Sequence, residues 1–256
     1  GVSQTEKFTE LGAVTIDTPL SDGDISAAAV TVKRLLPFDA SSGSYRYSTT
    51  CSYYDPALLN IIQHPFFEDV ACTVLRTGAV HFFQTAILAT YPQPGAVFSY
   101  DQHIDLQYAL LDLEATPRRI VCTFFLWLTD VSEKRAPMMW RPGSHRLLAR
   151  AWEEQAALRD QIPQVIGVKM EDLPTLDFAQ PQPLLARAGQ ATVLSTAMVH
   201  GASLNVDSAP RMAFVITFTA AGVEVGLPEA QQCTKEAYDA ELKYRLRPER
   251  AHLVKV

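Results

Sequence analysis

Two residues two positions apart, His103 and Asp105, offer an imidazole and a carboxylate from the short stretch Gln102-His103-Ile104-Asp105. On a β-strand, residues i and i+2 leave from the same face, so both side chains could reach one ion. A second histidine from elsewhere would complete a 2-His-1-carboxylate set. Such a set holds Fe(II) on one side and leaves the opposite positions free for a chelating cosubstrate and O2. A His-x-Asp triplet also arises by chance beside a solvated or capping aspartate, so the rest of the chain has to support it.

The chain has six histidines. His64 precedes a proline at a helix end, His81 begins an apolar strand, His145 follows Pro-Gly-Ser in a loop, and His252 lies near the end of the chain. His200 differs: it closes the run Ala191 to Val199 and is followed by Gly201 and a polar loop containing Asn205, Asp207, Ser208 and Pro210. Arg211 opens the next strand, on one face with Ala213, Val215 and Thr217. Pairing of the two strands as an antiparallel hairpin would set His200 across from Arg211 at one end of a sheet. An arginine there has a use, because its planar fork can grip the far carboxylate of an acid whose other end chelates the metal. Alone, His200 reads as a capped core histidine and Arg211 as a strand-start surface residue. The ordered set His103, Asp105, His200 and Arg211 favours a site.

The elements that must position this set change character along the chain. Residues 1–17 read as a polar lead into a short strand near Ala13 to Ile16. Apolar positions from Ile25 to Leu36 recur with helical spacing behind an acidic start. Ala40 to Ser44 reads as a loop, Asp55-Pro56 opens a helix through Ile62, and Phe66 to Arg76 forms another with Gly78 as its stop. From Val80 onward aromatic and β-branched residues dominate: strands are expected over His81 to Tyr91, Val97 to Tyr108, Arg119 to Leu128, Pro137 to Trp140, Leu184 to Ala186, Ala191 to Ser195 and Arg211 to Thr219. An amphipathic helix over Leu147 to Arg159, a loop over Lys169 to Pro183 and a last helix from a Thr234 cap to about Leu246 complete the reading. Many short strands separated by turns favour a jelly roll over a parallel α/β sheet. The fold expected is mainly β with flanking helices, one domain over residues 1–256 with a helical N-terminal third, a jelly-roll core at about 80–220 and a C-terminal helix.

Composition narrows the function. The 256 residues carry a formal charge of −6, which argues against a nucleic-acid or anionic membrane surface. The basic residues Lys243, Arg245, Arg247 and Arg250 read as the solvated face of the terminal helix. Cys51, Cys72, Cys122 and Cys233 show no metal-ligand spacing, and reduced thiols in a cytoplasmic-type protein are expected. No apolar stretch is long enough to span a bilayer.

Beyond the four site residues, three blocks resemble the phytanoyl-CoA dioxygenase family of iron(II) and 2-oxoglutarate oxygenases. His103-Ile104-Asp105-Leu106-Gln107-Tyr108 resembles its proximal ligand strand. Phe125-Leu126-Trp127-Leu128-Thr129-Asp130 followed by Pro142-Gly143-Ser144-His145-Arg146 resembles its middle block. Gly189 to Ser195, leading to His200-Gly201, Asn205 and Arg211, resembles its distal block. The resemblance spans roughly residues 80 to 220 and implies a double-stranded β-helix core of cupin type.

The resemblance further implies that His103, Asp105 and His200 bind Fe(II), that Arg211 pairs with the far carboxylate of 2-oxoglutarate, and that Trp127 lines the cosubstrate pocket, unless its indole is simply core. His145 belongs to a structural loop and is not a ligand. The chain departs from the family pattern at three places. Gln102 stands where tryptophan is common, and Gln190 replaces an acidic residue. Ala202 occupies the usual small-hydroxyl position, with Ser203 next to it as the remaining candidate for a second cosubstrate contact. The implied activity consumes O2 and 2-oxoglutarate, releases succinate and CO2, and oxidises, most simply hydroxylates, an unactivated C–H bond. Asp105, in place of a small residue, argues against halogenation. The substrate class expected is a small organic metabolite or natural-product intermediate. Two rivals remain: a metal enzyme on the same barrel that does not use 2-oxoglutarate, and a non-catalytic binding protein retaining the fold.

Overall fold

In a computed structural model, residues 3–154 and 167–255 are described. The first helix, α1 (Gln4–Leu11), replaces the polar lead expected there: Ser3 and Glu6 cap it reciprocally, and Gly12 ends it in the left-handed region at φ 88°. Strand β1 (Ala13–Asp17) follows, then α2 (Asp22–Leu35), capped by the same device from Ser21 and Asp24. A strand not anticipated from the sequence, β2 (Arg46–Thr50), succeeds the Ser/Gly-rich loop. Asp55 caps α3 (Pro56–Ile62), and His64 caps α4 (Pro65–Leu75) by accepting a hydrogen bond from the Phe66 amide on Nδ1. Helix α4 stops one turn before Gly78, at Arg76, which takes the left-handed conformation itself.

Nine strands then follow, β3 (Val80–Thr90), β4 (His103–Ile104), β5 (Cys122–Trp127), β6 (Met138–Trp140), β7 (Val168–Lys169), β8 (Gln182–Leu184), β9 (Gln190–Ser195), β10 (His200–Gly201) and β11 (Arg211–Ala220), and all but the two-residue β7 build the core. They fall into two antiparallel sheets, one ordered β1-β9-β5-β11-β3-β2 and the other β7-β4-β10-β6-β8. The chain changes sheet at every step from β3 to β6 and again from β8 to β11. That alternation is the expected double-stranded β-helix.

Alternation of side chains along the long strands sorts the layers. Ile87, Phe124, Phe214 and Phe218 leave the six-stranded sheet on one side, where they bury against α2, α3 and α4. Phe124 meets Phe67 edge-on, with ring centroids 5.2 Å apart. Trp127, Leu194 and Ala213 leave on the other side and join Met138 and Leu184 between the sheets. A third apolar layer, Ile104, Leu148, Trp152 and Val199, packs the shorter sheet on α6 (Ser144–Glu154). That helix begins three residues earlier than expected, and the expected continuation to Arg159 lies outside the described residues.

The hairpin expected to join His200 to Arg211 does not form. Strand β10 pairs with β4 and β6, whereas β11 pairs with β3 and β5, so the two residues lie on opposite sheets. The expected strand over Val97 to Tyr108 contracts to the two residues of β4, followed by a short helix α5 (Leu110–Glu114). The last helix, α7 (Glu229–Arg245), starts ahead of Thr234, whose hydroxyl bonds the Ala230 carbonyl from inside the helix. Nor is the basic cluster uniformly solvated: Arg250 is buried, donates to the Gln63 carbonyl and pairs with Glu68 at 2.6 Å. The four cysteines are free. No helix among the described residues is long and apolar enough to cross a membrane.

Candidate active site

Antiparallel pairing of β4 with β10 sets His103 directly opposite His200. Their ring centroids lie 4.8 Å apart, with the ring planes tilted by 51°. Asp105 sits just past the end of β4, held by its backbone amide, which donates to the Thr196 carbonyl at 2.9 Å. The carboxylate then lies between the rings, Oδ1 at 3.1 Å from His103 Nε2 and Oδ2 at 3.4 Å from His200 Nε2. One ligand atom from each residue falls within 4.8 Å of the others. Ligands at about 2.1 Å from an ion and at right angles to one another stand about 3 Å apart, so these atoms are spaced to share one ion.

The protonation pattern also suits a metal. His200 Nδ1 donates to the Met198 carbonyl at 2.7 Å, which places the proton on Nδ1 and leaves the Nε2 lone pair facing Asp105. Burial pushes the Asp105 carboxyl up, but His200 and His103 outweigh it and hold the group well below the usual carboxylate range. Burial lowers His200 in turn, and the Asp105 carboxylate overrides that and raises it. Asp105 and His200 are thus each shifted toward the charged form by the other.

Behind the cluster a cavity of about 470 Å³ runs from His103, Asp105 and His200 to Arg211. Arg211 is buried at 5% exposure, and one guanidinium nitrogen donates to the Thr90 hydroxyl at 2.8 Å. Its Nε has no partner, and no carboxylate pairs with it among the described residues. Burial, with Arg46 adding to it, pushes the guanidinium down to about 10. A buried cation left without its counter-ion is costly, and a dianionic ligand entering this cavity would satisfy it. Register explains the position: Arg46, Thr90 and Arg211 stand in one row across β2, β3 and β11.

The other expected site residues fall nearby without lining this cavity. Trp127 is wholly buried behind Arg211, whose guanidinium lies 5.5 Å from the indole, and its Nε1 donates to Thr192 Oγ1. Its place is support for the arginine. Ser203 is buried with its hydroxyl donating to the Pro137 carbonyl at 2.6 Å, so its proton is committed to the backbone. Thr90 offers what Ser203 does not: its oxygen accepts from Arg211, leaving its proton free, and it faces the cavity. Arg46, half-exposed and 3.5 Å from Asp101, lies at the rim. Neither residue was singled out in the sequence. The available signal was the alternation of Arg46, Ser48 and Thr50 with Tyr47 and Thr49.

The Pro142-Gly143-Ser144-His145 turn starts α6 and acts structurally. Ser144 accepts from the Val199 amide at 2.8 Å, tying the turn to the approach of His200. His145 is buried and its Nε2 donates to the Thr9 carbonyl, far from the cluster.

Comparison with known proteins agrees with this geometry. The family model described as phytanoyl-CoA dioxygenase (PhyH) matches residues 28–213. The fold is shared with the non-heme alpha-ketoglutarate-dependent epimerase SnoN from nogalamycin biosynthesis, at 16% identity and TM-score 0.58 over 85% of this chain and 82% of that one. It is shared as well with EctD from S. alaskensis (16%, 0.57, 88% and 78%) and with HygX from Streptomyces hygroscopicus (15%, 0.57, 84% and 85%). SnoN was solved with Fe3+ and alpha ketoglutarate, EctD with Fe, and HygX with nickel and 2-oxoglutarate. A comparison with curated proteins gives no match. With the family model covering His103, Asp105, His200 and Arg211, and with a His-Asp-His cluster facing a buried guanidinium that no carboxylate pairs among the described residues, the chain belongs to the phytanoyl-CoA dioxygenase family and is a 2-oxoglutarate-dependent iron oxygenase.

Proposed function

We propose that His103, Asp105 and His200 hold the iron, that Arg211 receives the distal carboxylate of 2-oxoglutarate with Thr90 as its second contact, and that the enzyme hydroxylates, or otherwise oxidises, an unactivated C–H bond of a small organic metabolite or natural-product intermediate. The observation that carries this reading is the buried Arg211, with an unpaired Nε, closing the far end of a cavity whose near end is the His-Asp-His cluster. When bound, the iron and 2-oxoglutarate together supply O2 activation, with release of succinate and CO2.

The chain's part is orientation and exclusion of water. Met198 fixes the His200 tautomer, and the β4–β10 pairing keeps the two imidazoles next to each other. Trp127 and Thr90 hold the guanidinium of Arg211 from two sides. Phe125, Leu88 and Met138 give the same cavity apolar walls, in which a charge-assisted bidentate pair is stronger than in water. SnoN was solved with nogalamycin RO and HygX with hygromycin B, and these relatives of the fold support a natural-product type of substrate.

Anaerobic titration of the Fe(II)-loaded protein with 2-oxoglutarate tests the assignment through the visible charge-transfer band of a chelated keto acid. The wild type should develop the band. Asp105→Ala should lose it with the metal, whereas Arg211→Ala should keep the metal and need about a hundredfold more 2-oxoglutarate, since two charge-assisted hydrogen bonds are removed. An unchanged titration in Arg211→Ala would sink the assignment.

A further inference from the structure

A second cavity, of about 330 Å³, opens on the other side of the cluster. It shares Leu88, Asp105 and Phe125 with the first, so the two meet at the carboxylate. Their walls differ in charge. The first contains Arg211 and Arg46, whereas among the described residues Asp105 is the only ionisable group lining the second. Its walls are apolar at Leu106, Val121, Val215 and Leu227, with hydroxyls and amides set among them.

One of those polar groups points to a ligand. Thr123 is 3% exposed, lines the cavity, and its hydroxyl has no hydrogen-bond partner, as is also true of the Thr85 and Thr196 hydroxyls in the same lining. Its neighbour across the β5–β11 ladder, Thr217, donates to the Gln84 carbonyl and accepts from the Gln84 backbone amide, and makes no bond to Thr123. Gln84 also lines the cavity, and its side-chain amide takes part in none of the hydrogen bonds of the described residues. Buried hydroxyls are ordinarily satisfied, so an orphan facing a cavity next to the metal cluster marks the place where a ligand oxygen would sit.

We propose that this second cavity is the site of the primary substrate, and that it selects a compact, uncharged, oxygen-bearing molecule held by Thr123 and Gln84 against apolar walls. The proposal rests on the iron and 2-oxoglutarate assignments above. With Asp105, its one carboxylate, taken by the iron in the reading above, a charged substrate would enter without a counter-ion and lose its hydration. A coenzyme A thioester would find neither the volume nor a cation for its phosphates, since this cavity is at the small end of ligand pockets. The chain thus separates its two ligands by charge, the acid going toward Arg211 and the neutral molecule toward Thr123.

The test uses three probes with one apolar body, 4-tert-butylcyclohexanol and its carboxylate and ammonium counterparts. Their affinities are measured by ligand-observed NMR on protein loaded with redox-inert Zn(II) and saturating 2-oxoglutarate. The alcohol should bind at least tenfold tighter than either charged probe. Thr123→Val, nearly the same shape, should weaken the alcohol about fivefold, and Gln84→Lys should turn the preference toward the carboxylate by at least tenfold. Equal or tighter binding of a charged probe to the wild type, no binding of any probe, or no effect of either folded variant would overturn the proposal. Calorimetry of 2-oxoglutarate binding to the same samples separates the two readings. If 2-oxoglutarate binds and the probes fail, only the substrate assignment falls; if 2-oxoglutarate itself does not bind, the reading beneath it falls as well.

Discussion

The two sheets divide the work of this molecule unequally. The six-stranded sheet contains β3 and β11, of 11 and 10 residues, paired along almost their whole length and covered on both faces. Its hydrogen-bond ladder and its aromatic packing make it the stiff half, and it presents Arg211 and Thr90. In the five-stranded sheet no strand exceeds three residues, yet it positions His103, Asp105 and His200. A short strand fixes little by its own ladder, so this half depends on local ties: Asp105 to Thr196, His200 to Met198, and Val199 to Ser144. The Arg211 end of the cavity rests on long-range sheet structure, and the His-Asp-His end rests on a few short contacts.

Perturbing each half should therefore give different readouts. The largest effect is expected at Gly201 in β10, where an added Cβ would lie 1.7 Å from the Asp101 carbonyl oxygen. Gly201→Ala must push β10 from β4 and should cut metal affinity about a hundredfold without touching a ligand, as competition with a chelator would measure. Phe124→Ala, on the helix side of the long sheet, should instead cost 3 to 5 kcal/mol, roughly the usual penalty for a buried phenylalanine, in denaturant unfolding. Its folded fraction should bind metal within about threefold of the wild type. If Phe124→Ala weakened the metal as much as Gly201→Ala, the two halves would not be separable in this way.

The third effect lies where the N-terminal segment meets the α6 turn. Burial pushes His145 down to about 4 from the ordinary 6.5. Below pH 6.5 the unfolded chain takes up a proton that the folded chain refuses, so stability falls as the pH drops toward 4 and levels off beneath it. The loss is about 3 kcal/mol, and His145→Gln should flatten that slope in denaturation curves taken at several pH values. The smallest effect is expected for Ser203→Ala. Losing the hydrogen bond to Pro137 should cost about 1 kcal/mol of stability while leaving the 2-oxoglutarate KM unchanged. A tenfold rise in that KM would return Ser203 to the cosubstrate contact.

How much of this was legible in the chain depends on the range of the interaction. Local physics was readable: Asp55-Pro56 capping α3, the helical spacing of α2, and the apolar or alternating runs of β3, β5, β9 and β11. The pairs His103 with Asp105 and His200 with Arg211 were visible as candidates because residue type and order are properties of the sequence. Strands of two residues leave no periodicity to detect, so β4, β7 and β10 could not be delimited, and a hairpin between His200 and Arg211 looked natural when the two in fact face each other from opposite sheets.

The sequence by itself determined the chemistry available: which imidazoles, carboxylate and guanidinium the chain possesses, and the turns and long strands able to bear them. Only tertiary structure decided the partners. It gave the Ser203 proton to Pro137, set Trp127 behind Arg211, brought Thr90 and the edge residue Arg46 into the same row, and left the Thr123 hydroxyl facing a cavity whose one ionisable group among the described residues is Asp105. The reason is physical: a side chain's type is local, but its hydrogen-bond partner, its burial and the charge around it are set by segments up to a hundred or more residues away, brought together only when the two sheets close.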